Sequence, residues 1–179
     1  MPKYFAFLRA INVGGHTVKM DYLRTLFEAL GFANVETFIA SGNVIFDSPS
    51  RSSKSLENKI EAALEKALGY EVITFVRNVK ELAACAACEP FNETDLKAAG
   101  HTSYVGFLKN IPGEAARKKL MSLANKDHDF HLSSREVYWL SRVSFRDSTI
   151  SGTVLAKSLG QPTTLRNTTT IKRLAAKYC

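Results

Sequence analysis

Short apolar runs alternate along the chain with longer stretches whose apolar residues recur every three to four positions. Tyr4 to Arg9 (YFAFLR) is a continuous aromatic-rich run closed by a glycine turn, which predicts a buried strand. Leu23, Leu26, Phe27 and Leu30 then fall at i, i+3, i+4 and i+7. That is one helical face, with Gly31 where a C-terminal cap belongs. VETFIA and NVIF flank Ser41-Gly42 at the spacing of a two-residue hairpin loop. Leu56, Ile60, Ala63, Leu64 and Ala67 share one side of a second helix ending at Gly69, and EVITFV (Glu71 to Val76) supplies a fourth strand. Strand, helix, strand, strand, helix, strand is the ferredoxin-like unit, complete within residues 1–77.

Asn78 with Glu81 is a capping pair that opens a helix running to Cys88 and stopped by Pro90. EPFNETDLKAAGH reads as a loop, so residues 78–100 form a connecting helix and loop. A second unit, 101–179, starts with the strand TSYVGFL. Pro112-Gly113 introduces a helix containing Leu120 and Leu123, and DFHL and EVYWL make a hairpin. No fourth strand is evident here. SGTVLAKSLG and TTIKRLAAKY read instead as two closing helices, the last with Ile171, Leu174, Ala175 and Tyr178 on one face. The expected class is therefore α+β: an N-terminal ferredoxin-like βαββαβ unit followed by a smaller α+β unit of strand, helix, hairpin and two helices. The recurrence of strand–helix–hairpin makes the second half a candidate diverged relative of the first.

Composition narrows the class of protein. At 179 residues the chain can bury a core without disulfides or metals, and no apolar run approaches the ~20 residues of a membrane span. The N-terminal run lacks a signal-peptide cleavage pattern. The three cysteines are accordingly expected as reduced thiols in the cytoplasm. The net charge of +7 is uneven, because residues 135–179 carry eight Lys and Arg against Glu136 and Asp147. Such asymmetry points to an anionic partner, nucleic acid or a phosphorylated small molecule, unless it is only a solvated face. No membrane partner is expected.

The candidate chemistry is anion binding. NVGGHTVKM matches neither a P-loop nor a dinucleotide fingerprint, yet its Gly-Gly bend can turn backbone N–H groups toward a ligand. Ser41-Gly42-Asn43 lacks the nucleophile-elbow pattern; a hairpin turn with positive φ at Gly42 explains Ser41 and Gly42 and leaves Asn43 merely permitted. His128 and His131 would point to opposite faces of a strand, so no metal site is expected there. Cys85 and Cys88 lie within an alanine-rich helix, where packing explains them better than redox chemistry. In TLRNTTTIKRL, Arg166 and Asn167 precede a threonine run that can cap the next helix, which would bring free N–H groups and a guanidinium together. No catalytic residue, cofactor or metal is assigned.

LRAINVGG, FIASGNVIF and LRNTTTIKRL together resemble the domain-of-unknown-function 1697 family, over essentially the whole chain. The resemblance implies a small bacterial cytosolic α+β protein with a ferredoxin-like first part and no established activity. It nominates Arg9, Asn12, Gly14 and Gly15 from the first motif, Ser41, Gly42 and Asn43 from the second, and Arg166 and Asn167 from the third. The chain departs from the family pattern at Thr168, where members often carry tryptophan.

Three readings follow. The first is a non-catalytic binding module for a phosphate-rich partner, nucleic acid or nucleotide, with Phe5 and Phe7 beside Arg9 offering an aromatic sheet face to bases. The second is an enzyme or sensor for a small anionic metabolite bound between the two halves. There Arg9 and Arg166 would hold the anion, Asn12, Asn43 and Asn167 would orient it, and His16 is the only candidate base. In the third, the motifs are structural and function lies with a protein partner.

Overall fold

In the computed structural model the first motif is the exit of a central strand. The structure describes residues 1–179 except Val13, Ala40 and Ser41. The chain divides into two units, Met1–Ala83 with Lys177–Cys179, and Ala84–Ala176.

The first unit follows the expected order: β1 (Lys3–Leu8), α1 (Met20–Ala29), β2 (Ala33–Thr37), β3 (Asn43–Asp47), α2 (Ser53–Leu68) and β4 (Thr74–Asn78). Its antiparallel sheet has the order β2-β3-β1-β4. One sheet face presents Tyr4, Ala6, Leu8, Val44, Phe46 and Val76 to Leu23, Phe27, Leu56, Ile60 and Leu64 of the two helices, and this is the core. β4 is an edge strand, and α2 supplies acceptors to it. Glu57 and Glu61, one helical turn apart, accept from the Val76 and Thr74 backbone N–H groups at 2.9 and 2.8 Å.

The opposite sheet face is also buried. Phe5, Phe7, Ile45 and Phe75 are each at most 1% exposed, and Tyr178 sits edge-on to Phe5. Phe5 and Phe7 therefore offer no open aromatic platform, which corrects the expectation that bases stack on them. The rings satisfy the core instead of a ligand.

The connection is more ordered than its sequence suggested. The Asn78–Glu81 capping box forms as expected: the Asn78 N–H donates to Glu81 and the Glu81 N–H donates to Asn78, both at 2.9 Å. It opens α3 (Val79–Ala87). Within the stretch read as loop lies α4 (Glu93–Lys97), whose Asn92 side chain accepts from the Asp95 N–H.

The second unit holds β5 (Thr102–Phe107), α5 (Glu114–Met121), β6 (His128–Ser133), β7 (Glu136–Ser141), α6 (Gly152–Leu159), β8 (Thr164–Asn167) and most of α7 (Thr168–Tyr178). Here the structure adds an element, because β8 pairs antiparallel with β5 and completes a second βαββαβ set. Its order, β6-β7-β5-β8, repeats the first sheet. The strand is four residues long and contains Arg166 and Asn167, too short and polar for an apolar run to reveal. Pairing with β5 defines it.

The repetition extends to register. Tyr4, Phe7 and Leu8 of β1 correspond to Tyr104, Phe107 and Leu108. The Leu8 N–H donates to the Gly42 carbonyl, and the Leu108 N–H to that of Arg135. Arg77 lies opposite Phe5 as Arg166 lies opposite Val105, and a helix follows each Arg-Asn pair at once.

Candidate anion site

The loop from Arg9 to Lys19 joins β1 to α1, and it is pinned at three points. The Arg9 N–H donates to the Ile73 carbonyl at 2.9 Å, continuing the β1 pairing beyond the strand. Ile11 and Val18 are buried in the core, and the Asn12 carboxamide oxygen accepts from the Val18 N–H at 2.7 Å. Tyr70, placed just after the C-cap of α2 at Gly69, donates from its hydroxyl to the Ile11 carbonyl at 3.2 Å and stacks on the His16 ring with centroids 3.8 Å apart.

What these anchors hold is exposed. Gly14 and Gly15 have φ of +65° and +84°, in the left-handed region that side chains rarely occupy. A Cβ built on either meets no atom within 4 Å, so close packing is not what requires glycine there. Arg9 is half-buried, and its guanidinium has no hydrogen-bond or ion-pair partner among the described residues. Asn12 and His16 are exposed beside it in the chain.

The hairpin motif lies at the same end of the sheet. Phe7 pairs with Asn43, and a Cβ on Gly42 would come within 2.9 Å of Ile11 Cγ2 and 3.1 Å of Leu8 Cβ. Gly42, with φ of +81°, thus lets the two loops touch. The connection is longer than the expected two residues, since β2 ends at Thr37 and β3 begins at Asn43. Asn43 is buried and donates from Nδ2 to the Phe38 carbonyl at 2.9 Å, closing this turn. Ser41 lies outside the described residues.

The third motif is in the second unit and behaves differently. Arg166 is buried, and its Nη1 donates to Thr164 Oγ1 and to the Leu165 carbonyl at 2.8 and 2.9 Å. Burial lowers the guanidinium to about 10, which leaves it charged at neutral pH. Its fork is engaged within its own strand rather than offered at the start of α7. Asn167 is exposed, and Thr168 accepts from Ser103 Oγ at 2.8 Å. A cleft of about 410 Å³ does open beside Thr168, Thr169 and Lys172. Its lysines are already neutralised, Lys172 by Glu89 at 2.9 Å and Lys97 by Glu93.

Part of the basic C-terminal segment is compensated too. Arg142 grips both Asp95 oxygens and also Asp129, and these carboxylates raise its pKa. Lys177 pairs with Glu36 at 3.4 Å. The charge asymmetry of the sequence is therefore not one open cationic surface. It is drawn down by acidic side chains that precede it in the chain.

Sequence reasoning missed Tyr70, Arg77 and the Glu57–Glu61 pair. The glutamates carried a signal, an i, i+4 carboxylate pair on an otherwise apolar helix face. Buried Arg77 carried none by itself; only its match to Arg166 in register makes it stand out.

Two α+β units, each built on a four-stranded antiparallel sheet of the same strand order, define the class of protein. The chain belongs to the family described as "Protein of unknown function (DUF1697)", whose profile matches residues 1–138. Among solved structures it is similar to the conserved bacterial protein SP0830 from Streptococcus pneumoniae. That similarity has 22% identity and a TM-score of 0.77, covers 99% of this chain and 98% of the other, and concerns the fold. No curated protein matches it. No helix among the described residues is long and apolar enough to cross a membrane.

Proposed function

We propose that this protein is a non-catalytic binding protein for a phosphate-bearing partner, nucleic acid or nucleotide, which it engages through Arg9 and the Gly14–Gly15 bend. The observation that carries the reading is a half-buried arginine, uncompensated among the described residues, at the root of a glycine bend that faces open space. A guanidinium supplies a planar donor fork matched to phosphate, and adjacent loop N–H groups add further donors. The second unit acts as an internal comparison. It joins the corresponding strand and helix through residues 108–113 alone, where Gln161 fastens Lys109 and Asn110, whereas the first unit uses residues 9–19. The topology does not need the longer loop. A cytoplasmic location accords with three free cysteines.

One part of the motif set favours a structural role: Asn12, Gly42 and Asn43 close turns and let loops pack, work that a ligand does not require. The binding reading therefore narrows to Arg9, Gly14 and Gly15. Titration with pyrophosphate and with mixed-sequence single-stranded RNA across a salt series tests it. Binding that weakens as salt rises, and falls at least about tenfold in Arg9→Ala, is expected. Absence of binding at low salt, or binding indifferent to Arg9, overturns the reading.

A further inference from the structure

We infer that the phosphate-bearing ligand carries a planar aromatic ring, as a nucleotide does, and that this ring stacks on His16. The inference rests on the anion reading of the same loop and adds a second contact to it. His16 follows Gly15 directly, and its ring lies 3.8 Å from that of Tyr70 at an interplanar angle of 22°. One face is thus covered by Tyr70, yet His16 remains exposed, so the other face is turned to solvent. An exposed imidazole is ordinarily free to change rotamer, and this one is held flat on a ring that is itself fixed.

Tyr70 packs against the core and its hydroxyl is tied to the Ile11 carbonyl at 3.2 Å. The support is therefore part of the fold, and the outer ring is the more exposed of the two. A rigid, solvent-facing aromatic surface is what base stacking uses, at low ordering cost to the protein. His16 directly follows the Gly-Gly bend, so its ring adjoins the loop backbone that the anion reading uses, as a ligand carrying both a phosphate and a ring requires. Inorganic phosphate would use the bend and leave the platform idle. The sheet rings Phe5, Phe7 and Phe75 are buried and offer no stacking site, and exposed Tyr22 has no described ring beneath it to hold it flat.

The test compares adenosine 5′-monophosphate with ribose 5-phosphate by calorimetric titration on the intact chain, in wild type, His16→Ala and Arg9→Ala. The nucleotide should bind about tenfold tighter than the sugar phosphate in wild type. His16→Ala should abolish that preference without weakening ribose 5-phosphate, whereas Arg9→Ala should weaken both. Because His16 is exposed, its replacement leaves the fold intact, and a melting curve checks this. Equal affinities in wild type, or a preference that survives His16→Ala, overturn the stacking inference while leaving the phosphate reading in place. No binding of either probe overturns both.

Discussion

Arg77 and Arg166 occupy the same register position in two sheets of identical strand order, and each donates from Nη1 to the carbonyl of the residue before it, Val76 and Leu165 respectively. Arg77 is fully buried and Arg166 is 8% exposed. A guanidinium in this setting acts as a strand-end clamp, satisfying carbonyls where the strand gives way to a helix. The duplication of the clamp argues that the Arg-Asn pair serves the fold in both units.

Removing either clamp should therefore cost stability. Arg77→Ala and Arg166→Ala are each expected to lower the unfolding free energy by about 2–4 kcal/mol, because buried acceptors lose a charged donor. Urea titration measures this. Pyrophosphate affinity should be unchanged in Arg166→Ala at temperatures where it remains folded. A fall there would place Arg166 in the anion site after all.

Thr163 offers the opposite sign. Its Oγ1 is buried and has no hydrogen-bond partner among the described residues, whereas the hydroxyl of Thr74, which precedes β4-residue Phe75 as Thr163 precedes Thr164, donates to the Val72 carbonyl at 3.2 Å. An unsatisfied buried hydroxyl costs about 1–3 kcal/mol, and valine matches threonine in shape. Thr163→Val should raise stability by about 1 kcal/mol and the melting temperature by a few degrees. An unchanged or lower melting temperature would show that the hydroxyl is satisfied in solution.

His128 makes stability depend on pH. Its Nδ1 accepts from Trp139 Nε1 at 3.1 Å, so the buried ring must be neutral at that nitrogen. Burial is the chief cause of its lowered pKa; Arg142 lowers it further and Asp127 opposes the shift. Over the intervening pH range the unfolded chain binds the proton more readily than the folded one. This contribution is full above the ordinary histidine range and is lost as pH falls through the folded value. Urea midpoints should drop between about pH 7 and pH 5, with Trp139 fluorescence, from the chain's single tryptophan, reporting the loss locally. In His128→Gln the decline over this interval should be shallower.

The first unit was legible because its helices are amphipathic and its strands apolar, so period alone separates them. Residues such as Leu23, Phe27, Leu56 and Ile60 announce the face that becomes the core. β8 and α4 were not legible. Thr164–Asn167 becomes a strand through pairing with β5, and Glu93–Lys97 is a single capped turn of helix, so neither has a pattern long enough to read. For the site, glycine and asparagine announced turns correctly, but sequence cannot distinguish a turn built for packing from one left open. Gly42 and Gly15 look alike in the sequence and share φ near +80°. Only the neighbours of the missing Cβ tell them apart.

That difference gives a direct experiment on the two glycines. In Gly42→Ala the new methyl would stand 2.9 Å from Ile11 Cγ2 and 3.1 Å from Leu8 Cβ, and the residue would keep an unfavourable positive φ. Both Ile11 and Leu8 are buried, so neither can yield cheaply, and a loss of about 2–4 kcal/mol is expected. In Gly15→Ala nothing lies within 4 Å of the methyl, and only the backbone conformation is penalised, at about 1 kcal/mol. The binding consequences should run the other way. Gly15→Ala places a methyl on the open bend where an anion would approach and should weaken pyrophosphate at least tenfold, while Gly42→Ala, if folded at low temperature, should bind nearly as wild type. A Gly15→Ala variant that binds normally would remove the loop from the site and leave its length unexplained by phosphate.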